Sequence, residues 1–158
     1  MERLWAPWRL EYIQTADEGG GCFLCAAQTS DDEGALVVHR GRSGLVVLNR
    51  FPYSSGHLLV APNRHESEFG DLTDEEALEV HRLAAQGIAA LDQAYRPHGY
   101  NLGWNLGGIA GAGLPGHIHL HVVPRWAGDT SFMPVLGDVK VMPEYLLDTR
   151  RKLSAAWP

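Results

Sequence analysis

Three histidines occupy alternate positions in segment 116–125, and their spacing constrains the fold more than any other feature of the chain. They are His117, His119 and His121. Side chains of a β-strand alternate between its two faces, so a strand here places the three imidazoles on one face, with neighbouring Cα atoms about 6–7 Å apart. The opposite face carries the apolar residues Ile118, Leu120 and Val122. We therefore predict a buried apolar face and a histidine face that opens to a cleft.

Chain length and charge limit the classes of function. A chain of 158 residues is long enough for one domain with a hydrophobic core. The formal charge of −6 argues against a nucleic-acid groove or an anionic membrane as partner. No apolar run reaches 18 residues, so we expect no transmembrane helix. Because residues 1–9 lack the apolar stretch of a signal peptide, we expect a cytoplasmic protein.

Hydrophobic periodicity predicts a mixed α+β fold. One long helix is expected over 74–95, because Thr73 and Glu76 form a capping-box pattern and apolar residues then recur every three or four positions. Strands are predicted at 35–39, 44–49, 57–62 and 100–105, and further helices at 7–16 and 143–156. This order of short strands around one helix is typical of an antiparallel sheet.

The histidine segment alone leaves two other interpretations open. An H-x-H pair on a strand is a frequent ligand set for zinc or iron, so all three histidines could bind a catalytic metal. The cluster could also be a chance grouping of solvated side chains.

Two cysteines, Cys22 and Cys25, form a C-x-x-C pair. A redox pair would need a thioredoxin-like βαβ context, and the pattern does not predict one. Zinc binding needs two further ligands. His65 is the natural third ligand, since it follows the predicted end of a strand.

The segment H-φ-H-φ-H-φ-φ (φ, apolar), starting at His117, resembles the signature of the histidine triad (HIT) superfamily. The resemblance covers residues 21–126 and includes three upstream segments: 49–52, 56–62 and 64–65. The segments 4–9 and 122–126 are most similar to the bacterial diadenosine tetraphosphate phosphorylase-like branch. The resemblance implies one HIT domain over 1–158, with a core at 21–126 and a C-terminal extension at 127–158. It also implies about five antiparallel strands, one long helix and a C-terminal helix.

The resemblance implies specific catalytic roles. His119 would attack the α-phosphate of a nucleotide and form a covalent nucleotidyl–histidine intermediate, with a backbone carbonyl near the glycine-rich loop holding its second nitrogen. His121 would donate a hydrogen bond to a phosphoryl or bridging oxygen. His57 resembles a fourth histidine that supports the triad, with His117 as its first member.

The resemblance also supplies the fourth zinc ligand. In related proteins a C-x-x-C pair, a histidine at the His65 position and the first triad histidine hold a structural zinc. The implied ligands here are Cys22, Cys25, His65 and His117. Four protein ligands close a tetrahedral site, so this metal would be structural, and no catalytic metal is required.

Substrate contacts are expected around the glycine-rich loop 107–116, whose backbone N–H groups could bind phosphates. Asn105 matches an amide that contacts phosphate or the leaving group, and Asn49 ends a strand where the family contacts ribose. The family usually has a polar side chain just before the triad, whereas this chain has Ala112, Gly113 and Leu114. The backbone N–H of Gly113 could substitute, which leaves phosphorolysis in doubt.

The implied function is cleavage of a nucleoside polyphosphate, such as diadenosine tetraphosphate, by a hydrolase or phosphorylase. A nucleoside phosphoramidase, and a nucleotide-binding or interaction protein with vestigial turnover, remain alternatives. The family further implies a homodimer in which two sheets join.

Overall fold

The sheet and helices are defined in a computed structural model that describes residues 21–114, 116–130 and 142–158. The predicted helix at 7–16 lies outside these residues. The strands are β1 (Val37–Arg40), β2 (Gly44–Leu48), β3 (Leu58–Pro62), β4 (Gly99–Trp104) and β5 (Leu120–Arg125). The helices are α1 (Phe23–Ala27), α2 (Asp74–Tyr95) and α3 (Leu146–Ala155). Short 3-10 turns span Phe69–Asp71 and Gly108–Ala110.

The five strands form one antiparallel sheet in the order β1-β2-β3-β5-β4. This confirms the predicted α+β class, and the limits of the strands predicted at 35–39, 44–49, 57–62 and 100–105 are correct within two residues. Helix α2 packs on one face, over a core that includes Val46, Leu58 and Val122. The opposite face carries a second cluster that includes Leu24, Val47 and Leu59. His121 pairs with Leu59, so the triad side of β5 belongs to this second face.

Helix α2 has the predicted limits and the predicted cap. The Thr73 side chain accepts a hydrogen bond from the Glu76 backbone N–H, and the Glu76 carboxylate accepts one from the Thr73 N–H. These two bonds satisfy N–H groups that have no partner within the helix. At the other end, Arg96 adopts a left-handed conformation (φ 47°) ahead of Pro97, which cannot continue the helix.

Gly87 allows α2 to approach the sheet closely. A Cβ atom at this position would lie 2.9 Å from Cδ1 of Leu58, which is fully buried. A larger residue would therefore push the helix away from β3. The apolar residues that recur every three or four positions predicted the core face of this helix. Among them, Val80, Ala84 and Leu91 are buried.

Helix α3 runs along the outer edge of the sheet, at β1. Nε of Arg150 donates to the Val37 carbonyl at 2.8 Å, and Oγ of Ser154 donates to the Val38 carbonyl at 2.8 Å. Side chains of the helix thus occupy backbone acceptors that an edge strand would otherwise expose. The helix is shorter than the predicted 143–156.

The histidine segment differs from the prediction in two respects. Strand β5 begins at Leu120, so His117 and His119 precede the paired strand and only His121 lies on it. The preceding chain is held instead by the Ile118 N–H, which donates to the Glu66 carbonyl at 2.6 Å. The histidine face is also less open than predicted: all three residues are at most 8% exposed.

Among the described residues, no helix combines the length and apolar character needed to cross a bilayer.

Candidate active site and metal site

His119 has one ring nitrogen fixed by the backbone. Its Nδ1 lies 2.8 Å from the carbonyl oxygen of His117, which can only accept, so Nδ1 carries the proton. Nε2 of the neutral ring then holds a free electron pair. Burial lowers the pKa of His119, and the bond to the carbonyl only partly opposes this shift. The ring is therefore neutral near pH 7 and can act as a nucleophile.

A chain of hydrogen bonds runs from a backbone amide through two histidines. The Tyr53 N–H donates to Nδ1 of His57 at 3.0 Å, so this nitrogen is an acceptor and Nε2 of His57 carries the proton. Nε2 of His57 lies 2.9 Å from Nδ1 of His121 and donates to it. A neutral His121 must then carry its proton on Nε2. The backbone of one loop thus sets the tautomers of both rings.

Two hydrogen-bond donors meet at the end of this chain. Nδ2 of Asn105 donates to the Gly111 carbonyl at 3.4 Å and lies 3.3 Å from Nε2 of His121. The Gly111 carbonyl orients the amide, so N–H groups of Asn105 and His121 approach the same point. An anionic oxygen placed between these two donors would accept from both. The arrangement is suited to a phosphoryl oxygen.

Asn49 and Gly113 are the two remaining predicted substrate contacts. Asn49 is 6% exposed; its Oδ1 accepts from the Phe51 N–H at 3.0 Å and its Nδ2 lies 3.3 Å from Nδ1 of His57. It thus braces the loop that holds His57, and a ribose contact stays a prediction. Gly113 lies half-buried in the loop, after the buried Ala112. Its contact with phosphate also stays a prediction.

Four candidate metal ligands lie together at the start of α1. The donor atoms of Cys22, Cys25, His65 and His117 are all within 4.8 Å of one another. Nδ1 of His117 is 3.1 Å from Sγ of Cys22, and Nδ1 of His65 is 3.3 Å from Sγ of Cys25. Sulfur and nitrogen ligands on a tetrahedral zinc are about 3.6 Å apart, given the usual bond lengths. The donor set therefore fits zinc.

The first triad histidine, His117, lies in the candidate ligand group and not beside the hydrogen-bonded rings of His57 and His121. Nε2 of His117 donates to the Pro62 carbonyl at 2.9 Å, which leaves the Nδ1 electron pair facing the two cysteines. A carbonyl partner of this kind commonly orients histidine ligands. His119 and His121 are not members of the ligand group, so the described geometry separates the metal site from the two remaining triad rings.

Some functional features could not be inferred from the sequence. The Tyr53 ring stacks parallel to His121 (centroids 5.8 Å apart) and covers His57 at 4.5 Å. Nothing in the local pattern had indicated Tyr53 as a member of the site. Two arginines are held by carboxylates: Arg64 by Glu66 and Glu76, and Arg125 by Asp129.

Comparisons with known proteins place the chain in a family. Residues 33–128 match the HIT domain. An "AP-4-A phosphorylase" of Mycobacterium tuberculosis is 44% identical over 166 residues, covering 99% of this chain and 85% of that protein. A "Bis(5'-nucleosyl)-tetraphosphatase [asymmetrical]" of Schizosaccharomyces pombe is 29% identical over 98 residues, covering 62% of this chain and 53% of that protein.

Solved structures agree with this placement. A Zn-bound histidine triad family protein from Mycobacterium smegmatis superposes with a TM-score of 0.68 at 25% identity. The match covers 86% of this chain and 92% of that one. The chain therefore belongs to the HIT family and, within it, to the branch that contains the M. tuberculosis relative.

Proposed function

We propose that this protein cleaves a phosphoanhydride bond of a dinucleoside polyphosphate through a covalent nucleotidyl–His119 intermediate. The observation that carries the proposal is the fixed Nδ1–H of His119, which leaves Nε2 as a neutral nucleophile beside two converging donors. The names of the two curated relatives point to diadenosine tetraphosphate as the substrate to test first. In the first step, Nε2 of His119 attacks the α-phosphorus and the distal polyphosphate departs. Water or phosphate then releases the bound nucleotide.

His121 and Asn105 stabilise the phosphoryl group during both steps. Nε2–H of His121 and Nδ2–H of Asn105 donate to a non-bridging or departing oxygen, where negative charge accumulates. The departing polyphosphate is already an anion, so donation of a hydrogen bond is sufficient and no complete proton transfer is needed. His57 keeps His121 in the donor tautomer because the Tyr53 amide keeps His57 in its own tautomer. His57 is therefore a positioning residue.

The glycine-rich loop contributes backbone donors to the remaining phosphates. Glycine at position 113 removes the polar side chain that the family usually has near this point. The phosphates are then held by backbone N–H groups, including that of Gly113. Such groups bind any anionic oxygen, whatever else is attached to its phosphorus atom. Asn49, whose amide contacts His57, is the residue proposed to bind ribose.

Cys22, Cys25, His65 and His117 bind a structural zinc in this proposal. The compact ligand group and the Zn-bound relative support this assignment. A metal held by these four side chains would link α1 and the end of β3 to the residue two positions before the nucleophile. Since the His117 carbonyl accepts from His119, the metal site also fixes the position of that carbonyl.

A homodimer formed through β4 is the proposed assembly. Strand β4 lies at an edge of the described sheet, and most of its residues are partly or fully exposed. Large apolar side chains surround this edge: Phe69 (52% exposed), Leu102 (47%) and Leu106 (52%). An exposed strand with apolar neighbours is a favourable site for pairing with a second copy.

The function is tested by mass spectrometry of the protein after a brief, acid-free quench with diadenosine tetraphosphate. The wild type should gain the mass of one adenylyl group, and His119→Asn should gain none while still binding nucleotide. His81→Asn is the matched control, since His81 lies on the exposed face of α2. Turnover without an adduct in the wild type, or full turnover in His119→Asn, would exclude the nucleotidyl–histidine mechanism.

A further inference from the structure

Strand β4 carries a glycine directly opposite His121. In the register of β4 with β5, Gly103 pairs with His121. Residues that pair across antiparallel strands project to the same face, about 5 Å apart at Cβ. Asn101 and Asn105 flank Gly103 on that face, because they lie two residues away on either side. Of these three residues on one face, Gly103 lies opposite His121 and is the one without a side chain.

The space beside Gly103 is open. A Cβ atom built there would have no heavy atom within 4 Å, and the residue is exposed. Gly44 and Gly87 differ, since a Cβ at either would lie within 2.9 Å of another side chain. Packing thus explains those two glycines but not Gly103. A glycine in a strand weakens that strand. A strand glycine that packing does not require often marks a place where a ligand approaches the backbone closely.

The chemistry of the neighbours indicates what enters this space. His121 and Asn105 direct N–H groups to one point, which favours an anionic oxygen. In an in-line displacement at the α-phosphorus, the departing group lies opposite His119, and the group that attacks in the second step enters from that same side. The position of the departing β-phosphoryl group is thus also that of an incoming inorganic phosphate.

We propose that Gly103 is a specificity-determining residue that keeps a phosphoryl-sized subsite open beside His121, which allows inorganic phosphate to act as the acceptor. This inference rests on the proposed nucleotidyl–histidine function. A side chain at position 103 would fill the subsite but would leave room for water. Gly103 therefore decides between a nucleoside diphosphate and a nucleoside monophosphate as the product.

Inorganic phosphate is the one reactant that the two steps need besides the dinucleoside polyphosphate. In the first step, the His119 Nε2–phosphorus bond forms and the bond to the bridging oxygen breaks, with its electron pair on the departing polyphosphate. In the second, a phosphate oxygen bonds to the α-phosphorus and the electron pair of the P–N bond returns to Nε2. The product is a nucleoside diphosphate. Attack by water instead gives a nucleoside monophosphate and releases a proton.

The test compares Gly103→Val with Gly99→Val. Gly99 lies on the same strand and face, opposite Arg125, and a Cβ there also meets nothing within 4 Å. Valine favours a strand, so both variants should fold. With diadenosine tetraphosphate and excess phosphate, chromatography gives the ratio of ADP to AMP. We expect Gly103→Val to lower this ratio about tenfold or more, and Gly99→Val to leave it unchanged.

Three results would overturn the inference: an unchanged ratio in Gly103→Val, an equal fall in Gly99→Val, or a wild type that forms AMP alone in excess phosphate. Light scattering of both variants shows whether their oligomeric state has changed. A fall in the ratio of ADP to AMP that accompanies such a change would assign Gly103 to a subunit contact instead. If the wild type forms neither product nor adduct, the proposed function itself has failed. The two failures are therefore distinct.

Discussion

Asn105 is the residue whose replacement tests the donor arrangement most directly. Asn105→Ala removes one of the two N–H groups that meet near Nε2 of His121. A hydrogen bond to a charged group contributes about 1.5–3 kcal/mol, so kcat/KM for diadenosine tetraphosphate should fall roughly ten- to hundredfold. Asn105→Asp should be worse. Its carboxylate would accept the proton of His121 and repel the phosphoryl oxygens, by about 4 kcal/mol for charges about 4 Å apart at an effective dielectric constant of about 20.

The assay is the steady-state rate of both variants, with the thermal midpoint as a check on folding because Asn105 also donates to the Gly111 carbonyl. Asn101→Ala is the control, since Asn101 lies on the same face of β4 but accepts from Arg125 at 2.7 Å. It should retain kcat/KM. If Asn105→Asp is as active as the wild type, the two donors do not bind the substrate. Long-range ¹H–¹⁵N correlation should further show His121 protonated on Nε2 and His119 on Nδ1.

Three further results are expected elsewhere in the molecule. Cys22→Ser should remove most of the bound zinc, measured by plasma emission spectrometry, and lower the thermal midpoint; full zinc content would contradict the ligand assignment. Gly87→Val should lower the free energy of unfolding by about 1–3 kcal/mol, measured in urea, because its side chain would clash with Leu58. Bonding to Arg64 lowers the pKa of Glu76 to about 2, so this stabilisation is complete above about pH 4.5 and is lost as the pH falls towards 2. Glu76→Gln should therefore be less stable than the wild type at pH 7, with a smaller difference at pH 3 in thermal unfolding; a constant difference would contradict this origin.

The sequence predicted the structure correctly where the interactions that determine it are between neighbouring residues. Helix α2 has its predicted limits because the Thr73–Glu76 cap and the Arg96–Pro97 stop involve only neighbouring residues. The grouping of His65 with the C-x-x-C pair was also predictable, since His65 follows the predicted end of a strand. The HIT resemblance supplied the number of strands, about five, whereas the order of the strands in the sheet was not predicted.

Distant contacts account for what the sequence did not predict. The histidine strand begins late because the Ile118 N–H bonds to Glu66, some fifty positions earlier in the chain. The tautomers of His57 and His121 depend on the backbone amide of Tyr53, and a backbone amide leaves no trace in residue type. Helix α1 is only five residues long, with Cys22 as its N-cap and Cys25 within it, so its apolar pattern is too short to recognise.

The side chains of α3 that bind the Val37 and Val38 carbonyls have a consequence for assembly. A sheet with two open edges can add copies at both ends and grow without limit. Here α3 already bonds two acceptors of one edge, so the proposed homodimer would form at β4 and would stop growing once two copies had paired. Loss of Arg150 and Ser154 would expose the acceptors of this second edge, and the proposed dimer could then grow into a fibre. The C-terminal helix would in this way limit the number of copies that assemble.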